Sequence, residues 1–392
     1  LIDIVRPNGQ GLSHNKYDSF NVDSHGVILN NSTKEVSRSQ LGGLVPGNGN
    51  LRYSGAAKVI LNEVVSANRS RFEGVSEVHG QMADVIIANP NGITCNGCGF
   101  INTPRVTLST GQPIIGADGA LSGLRVEGGE ITIGSRGAEG SALDIFDLVS
   151  RKISIVGPIQ VKGDLAVIAG RNHFDYHKRE ATSLGSDGKE PELAIDSSEF
   201  GGMYAGQIRV IANDKGAGVK MRGDMVSNAG AMRLTSDGKL VIAKARAKGA
   251  VKARSHHDSV HVKDLLFSEE AVELKALKHV ELAEQSRVAA SGAVAVHADV
   301  IKLQSQALLA SGIGRDGQQS ATGFLHLQAA KLEAGDGRIA AGDFLEIQAA
   351  TIDLSRMQDN NQTGVSSLGD LTIETNQITA LNNHIGAKEN IV

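Results

Sequence analysis

Gly292-Ala293-Val294-Ala295-Val296, followed by Val300-Ile301-Lys302-Leu303, is a glycine-led pair of short runs in which every second residue is a branched aliphatic. Alternation with period two places the aliphatics on one face of a strand and the small or polar residues on the other. The same unit recurs as Gly230-Ala231-Met232-Arg233-Leu234 with Leu240-Val241-Ile242, and as Gly323-Phe324-Leu325-His326-Leu327 with Leu332. It recurs again as Gly342-Asp343-Phe344-Leu345-Glu346-Ile347 with Ile352-Asp353-Leu354, and as Gly369-Asp370-Leu371-Thr372-Ile373 with Ile378. A period of about 20 residues, built from strands too short to form a domain alone, marks a solenoid in which each rung buries its face on the next. The expected fold is all-β: a right-handed parallel β-helix with extra-helical hairpins or loops. About 18 to 20 rungs at about 4.8 Å spacing would give a rod on the order of 90 Å long.

Upstream, the alternation continues in Gly129-Glu130-Ile131-Thr132-Ile133-Gly134, Lys152-Ile153-Ser154-Ile155-Val156-Gly157, Gly163-Asp164-Leu165-Ala166-Val167-Ile168 and Gly206-Gln207-Ile208-Arg209-Val210-Ile211. Arg171 to Pro191 is polar and charged and is expected to leave the solenoid as a loop or hairpin. Helix formers crowd Ser268 to Gln285, but Val272-Glu273-Leu274 and Val280-Glu281-Leu282 alternate, so strand is expected there. Two regions follow: residues 1–225, with irregular excursions, and the more regular repeats of 226–392. The chain opens on Leu1-Ile2-Asp3 and stops in a repeat, so a processed or truncated piece of a longer protein is expected.

Glycine accounts for 47 of 392 residues, aromatics for only 3%, and tryptophan is absent, so the interior must be aliphatic. No run of about 18 apolar residues offers a membrane-spanning helix. A net charge of −4 argues against a general nucleic-acid binder, which needs a dominant basic face.

Residues 87–106, Ile-Ala-Asn-Pro-Asn-Gly-Ile-Thr-Cys-Asn-Gly-Cys-Gly-Phe-Ile-Asn-Thr-Pro-Arg-Val, carry two tight turns. Asn89-Pro90-Asn91-Gly92 has type I turn chemistry: proline presets φ, and asparagine bonds back to the chain. Asn96-Gly97 is a second turn signal, and such a turn brings Cys95 and Cys98 within disulfide reach.

The order of motifs resembles the secretion domain of two-partner-secretion exoproteins, the group of filamentous haemagglutinins, secreted haemolysins and contact-dependent growth inhibition proteins. The resemblance rests on Asn89, Pro90, Asn91, Gly92 and Ile93, and on Tyr17-Asp18-Ser19-Phe20-Asn21-Val22, Val59-Ile60-Leu61-Asn62-Glu63-Val64 and Ala83-Asp84-Val85-Ile86-Ile87-Ala88. It continues through Asn102-Thr103-Pro104-Arg105-Val106-Thr107-Leu108 to Gly201-Gly202-Met203-Tyr204-Ala205-Gly206. Where the family usually has a second motif, Asn-Pro-Asn-Leu, this chain reads Asn48, Gly49, Asn50, Leu51 and lacks the angle that proline presets. Cys95 to Arg105 looks most like the growth-inhibition proteins.

The resemblance implies a monomer without cofactor, exported through the periplasm of a Gram-negative bacterium by a dedicated outer-membrane transporter whose periplasmic domains recognise Asn89 to Ile93. It implies secretion to the cell surface, and a receptor-binding region and toxin outside this chain; an adhesin or haemolysin of the same class is the alternative.

Catalytic signatures are missing: there is no phosphate-binding loop, no zinc-protease helix and no nucleophile elbow. A polysaccharide-active β-helix enzyme is the remote alternative. Cys95-x-x-Cys98 lacks the helical setting of a redox pair, and His173 with His177 lies too far from it for a zinc finger, so a disulfide is expected. The basic stretch Lys244, Arg246, Lys248, Lys252, Arg254, His256, His257, His261 and Lys263 reads as a solvated face, with contact to an acidic surface as the alternative. Arg222-Gly223-Asp224 spells an integrin-binding tripeptide, for which chance occurrence is the default.

Overall fold

The structure, a computed structural model, describes residues 1–355 and 363–392. Two compact units are present, Leu1–Lys215 and Gly216–Val392. Each is a stack of parallel strands on three sides of a coil, the parallel β-helix expected from the alternation. The handful of strands outside this scheme form antiparallel hairpins.

In the first unit, one side runs through Leu12–Tyr17, Val59–Val64, Asp84–Ala88, Arg105–Ser109, Ile145–Ser150, Asp164–Ala169 and Gln207–Ala212, all pairing in parallel. A second side runs through Ser70–Phe72, Ile93–Cys95, Glu130–Ile133, Lys152–Ile155 and Leu193–Ser197. The third runs through Val27–Asn31, Val75–Gly80, Cys98–Ile101, Ala138–Gly140, Ile159–Val161 and Met203–Ala205.

Register turns the alternation into columns. Ile60, Val85, Val106, Phe146, Leu165 and Ile208 stand over one another and are fully buried inside the coil. Burying each such side chain contributes about 1.5–3 kcal/mol, which offsets the ordering of the rung.

The opposite, outward column of the same strands, Leu61, Ile86, Thr107, Asp147 and Ala166, is buried as well. Asp84-Val85-Ile86-Ile87-Ala88 and Leu165-Ala166-Val167-Ile168 are therefore near-continuous apolar runs, as expected of strands covered on both faces. The strand at 164–169, read from sequence as having one inward face, corrects that expectation.

The cover is a four-stranded antiparallel sheet made of Gln112–Ile115, Leu121–Val126, Asn172–Asp175 and Glu180–Ser183. Leu121, Leu124, Val126, Phe174 and Tyr176 pack from it onto Leu12, Leu61, Ile86, Val149, Ala166 and Ile168. The excursion expected at 171–191 is thus half of a clamp. A second extra-helical hairpin, Val36–Ser39 with Gly43–Pro46, is fastened by buried Glu77, which accepts from the Ser39 hydroxyl (2.6 Å) and the Leu41 N–H (2.9 Å).

In the second unit, Val260, Val280 and Ile301 form one inward column, Leu266, Val288, Leu309 and Ile339 another, and Val251, Val272, Val294, Leu325 and Leu345 the third. Ser268 to Gln285 holds strands Val272–Lys275 and His279–Leu282, so the inward columns override helix propensity there. Arg222-Gly223-Asp224 is built into strand Gly218–Ser227, with Gly223 buried. The basic stretch is partly neutralised by cross-rung pairs, Lys244 to Asp264 (3.3 Å), Lys252 to Glu273 (3.2 Å) and His257 to Asp237 (2.8 Å).

Candidate functional site

Asn89 closes strand Asp84–Ala88 and turns the chain toward Ile93–Cys95. Its carbonyl accepts the Gly92 N–H at 3.0 Å, the i to i+3 bond of a β-turn. Its side-chain oxygen accepts the Asn91 N–H at 3.0 Å, and its side-chain amide donates to the Asn68 carbonyl and the Ser70 hydroxyl, each at 2.9 Å. The Asn91 amide donates to the Ser66 carbonyl at 2.6 Å. Both carboxamides thus stitch this corner to the corner one rung earlier.

Gly92 has φ +113°, and a Cβ there would lie 2.7 Å from the Arg69 guanidinium carbon, so only glycine fits without displacing that side chain. Ile93 is fully buried and stands between Ser70 and Ile131 in the ladder. In the folded chain Asn89 has no exposed surface, and the faces left to a partner are those of Pro90 and Asn91.

The corner at 48–51 uses the same device without proline. Asn48 caps the short 3-10 turn Gly49–Leu51; its side-chain oxygen accepts the Asn50 N–H (2.9 Å), and its amide donates to the carbonyls of Ile4 (2.8 Å) and Asn30 (2.9 Å). Leu51 is buried beneath it. Glycine at 49 adopts the turn that proline would have preset, so the departure from the family motif leaves the corner geometry in place.

Cys95 and Cys98 are joined as a disulfide with Cα atoms 5.3 Å apart, across a turn in which Gly97 has φ +84°. Both are fully buried. A disulfide sulfur offers no thiolate to a metal, and no cluster of His, Cys, Asp or Glu among the described residues is placed to hold one.

Sequence reasoning missed an ionic knot beneath the clamp. Asp147, with no exposed surface, accepts from Arg105 Nη2 (2.9 Å) and from Arg179 Nη2 (2.8 Å). The Arg105 guanidinium lies 3.8 Å from the Tyr176 ring centroid, and the Tyr176 hydroxyl donates to Asp84 at 2.8 Å. Burial pushes the Tyr176 phenol well above its ordinary range, and burial likewise raises the Asp84 carboxyl, opposed by the Tyr176 hydrogen bond. The signal in the sequence was one acid inside the apolar run Ile145-Phe146-Asp147-Leu148-Val149, which demands a partner if the strand is buried.

With this geometry in view, the comparisons are specific. The family model described as the TPS secretion domain matches residues 1–242. The chain belongs to the TPS secretion domain family. A 16S rRNA endonuclease CdiA of Enterobacter cloacae is 37% identical over 90% of this chain, and a tRNA nuclease CdiA of Yersinia mollaretii 39% identical over 87%. A tRNA nuclease CdiA of Escherichia coli is 43% identical over 64%. The chain spans only 11%, 11% and 8% of the lengths of those three relatives. The crystal structure of a filamentous hemagglutinin secretion domain superposes with a TM-score of 0.59 at 29% identity, covering 83% of this chain and 93% of that one.

A TPS domain is the export module of a two-partner-secretion exoprotein and is not itself catalytic; such proteins travel through the periplasm to the outer-membrane surface of Gram-negative bacteria. Its presence implies an outer-membrane transporter as partner.

Proposed function

We propose that this TPS domain and its first repeats form the base of a contact-dependent growth inhibition exoprotein, whose receptor-binding and toxin regions lie outside the chain. The observation that carries this reading is the identity of 37% and more with toxin and nuclease proteins across most of the chain, against 29% with the filamentous hemagglutinin domain. The periplasmic domains of the transporter read Asn89 to Ile93, and Asn48 to Leu51 in second place, while the chain is unfolded. The Asn89 carboxamide is fully engaged once the corner has closed, which supports recognition before folding.

After the pore, rung-by-rung burial of aliphatic columns at about 25 cal/mol per Å² makes return unfavourable without ATP. The test is secretion of Asn89→Ala and Asn91→Ala chains by cells carrying the cognate transporter. Export should fall while the refolded variants stay monomeric and β-rich. Normal export of both would overturn the assignment.

A further inference from the structure

The second unit carries an unassigned groove of about 620 Å³ between the side chains of five successive rungs and the excursion that follows Ser311. Register builds it. Outward from the coil, Val226, Arg246, Phe267, Ala289 and Ala310 stand in one column, and Lys244, Leu265, Arg287 and Leu308 in the next. The change from Phe267 to Ala289 leaves a recess whose walls are Leu265, Phe267 and Leu308. The far rim is the turn Ile313 to Gln319, closed on itself by an antiparallel bridge and tied to the strands by the Arg315 to Glu269 ion pair at 2.5 Å.

The rim is basic. Arg246, Lys248 and Arg287 line the groove, and among the described residues none has a carboxylate within salt-bridge distance. Glu269, the acid of the lining, is committed to Arg315. This departs from the neighbouring basic residues Lys244 and Lys252, which are paired across rungs. Three uncompensated cations over an apolar floor match a ligand with an apolar body and an anionic end, and the volume lies in the ordinary small-ligand range of about 300–1,000 Å³.

The strands of the floor are hydrogen-bonded to rungs on both sides, so they have no free backbone edge to offer an extended peptide. That favours an occupant with no backbone of its own to satisfy. We propose that this groove binds a single-chain anionic amphiphile, its acyl chain over Phe267 and Ala289 and its carboxylate or phosphate between Arg246, Lys248 and Arg287.

The test is calorimetric titration of the 392-residue chain with dodecanoate, dodecyl phosphate and uncharged dodecyl maltoside below their micelle concentrations. Saturable binding of either anion at one per chain, at least about tenfold tighter than the maltoside, is expected. Dodecanoate alone binding would identify a carboxylate ligand, and dodecyl phosphate alone a phosphate one. Ala289→Trp should abolish binding by filling the recess, and the pair Arg246→Glu with Arg287→Glu should weaken it at least about tenfold. Those arginines are exposed, so the pair carries the test even if the tryptophan variant fails to fold. Absence of saturable binding, equal affinity for the maltoside, or unchanged binding in the arginine pair overturns the proposal. So does a peptide of alternating Phe and Glu that binds more tightly than either anion.

Discussion

Arg179 Nη2 donates to Asp147 Oδ1 at 2.8 Å, and this contact ties the extra-helical sheet to the coil beneath it. The second oxygen of Asp147 is taken by Arg105, so one buried carboxylate balances two guanidinium groups. Asp147→Ala leaves the buried Arg105 without its carboxylate, while Arg179 keeps Asp164 at 3.2 Å, and removing one partner of a buried ionic contact costs about 3–5 kcal/mol. Urea unfolding of the purified chain should show that loss. Arg179→Ala should cost less, because Arg105 still neutralises the acid, and it should raise proteolytic cleavage within 172–183 before the coil unfolds. Equal stability of Asp147→Ala and the parent would show that the knot contributes nothing.

Gly49→Pro should stabilise the first unit. Residue 48 has φ −81° and ψ 115°, the extended conformation required before proline, and a Cβ at residue 49 meets nothing within 4 Å. Restricting the unfolded chain at a compatible site is worth about 0.4–1 kcal/mol, readable as a higher urea midpoint with unchanged slope. A lower midpoint would mean that the corner needs glycine.

Removal of the disulfide by Cys95→Ser with Cys98→Ser should destabilise by about 2 kcal/mol, the chain-entropy value for so short a loop. The serines inherit positions with no solvent access, so Cys95→Ala with Cys98→Ala should lose less. Denaturant midpoints of the two variants, with mass spectrometry confirming the bridge in the parent, decide the point.

Stability should fall as pH drops from 7.5 to 5.5. Burial, followed by the positive charge of Arg254, holds His256 below its usual 6.5; burial, then Lys239, holds His261 below 6.5, with Lys263 adding to this and Glu281 and Asp258 opposing. A histidine whose folded pKa is depressed binds its proton first in the unfolded chain, so acid favours unfolding once pH passes below 6.5. His256→Gln with His261→Gln should flatten the slope of unfolding free energy across this window. An unchanged slope would locate the effect elsewhere.

The coil was legible because its columns write themselves into the chain as period-two runs at near-constant spacing. The first unit was less so: Val85-Ile86-Ile87-Ala88 alternates with nothing, since a cover removes the polar face by which a strand is recognised. Gln112 to Val126, half of that cover, has a proline, two isoleucines and several glycines, and its pairing with Phe174 is set by tertiary contact over a long separation that no local pattern encodes. The corners at 48–51 and 89–93 were found by residue type. Their carboxamide bridges to Ile4, Asn30, Asn68 and Ser66 were not, because which carbonyl lies one rung below depends on how long each earlier rung happens to be.

Arg179 follows Asp147 by 32 positions, and that delay has a cost for any chain delivered amino end first. Until the later hairpin arrives, Leu61, Ile86 and Ala166 form a greasy wall only half covered, by Leu121, Leu124 and Val126 of the earlier hairpin, with a half-neutralised acid set in it. The interval is a window of vulnerability to self-association, and its length scales with the speed of delivery. Slow transit should therefore clump this protein at the surface, whereas fast transit hides the wall before a neighbour can find it.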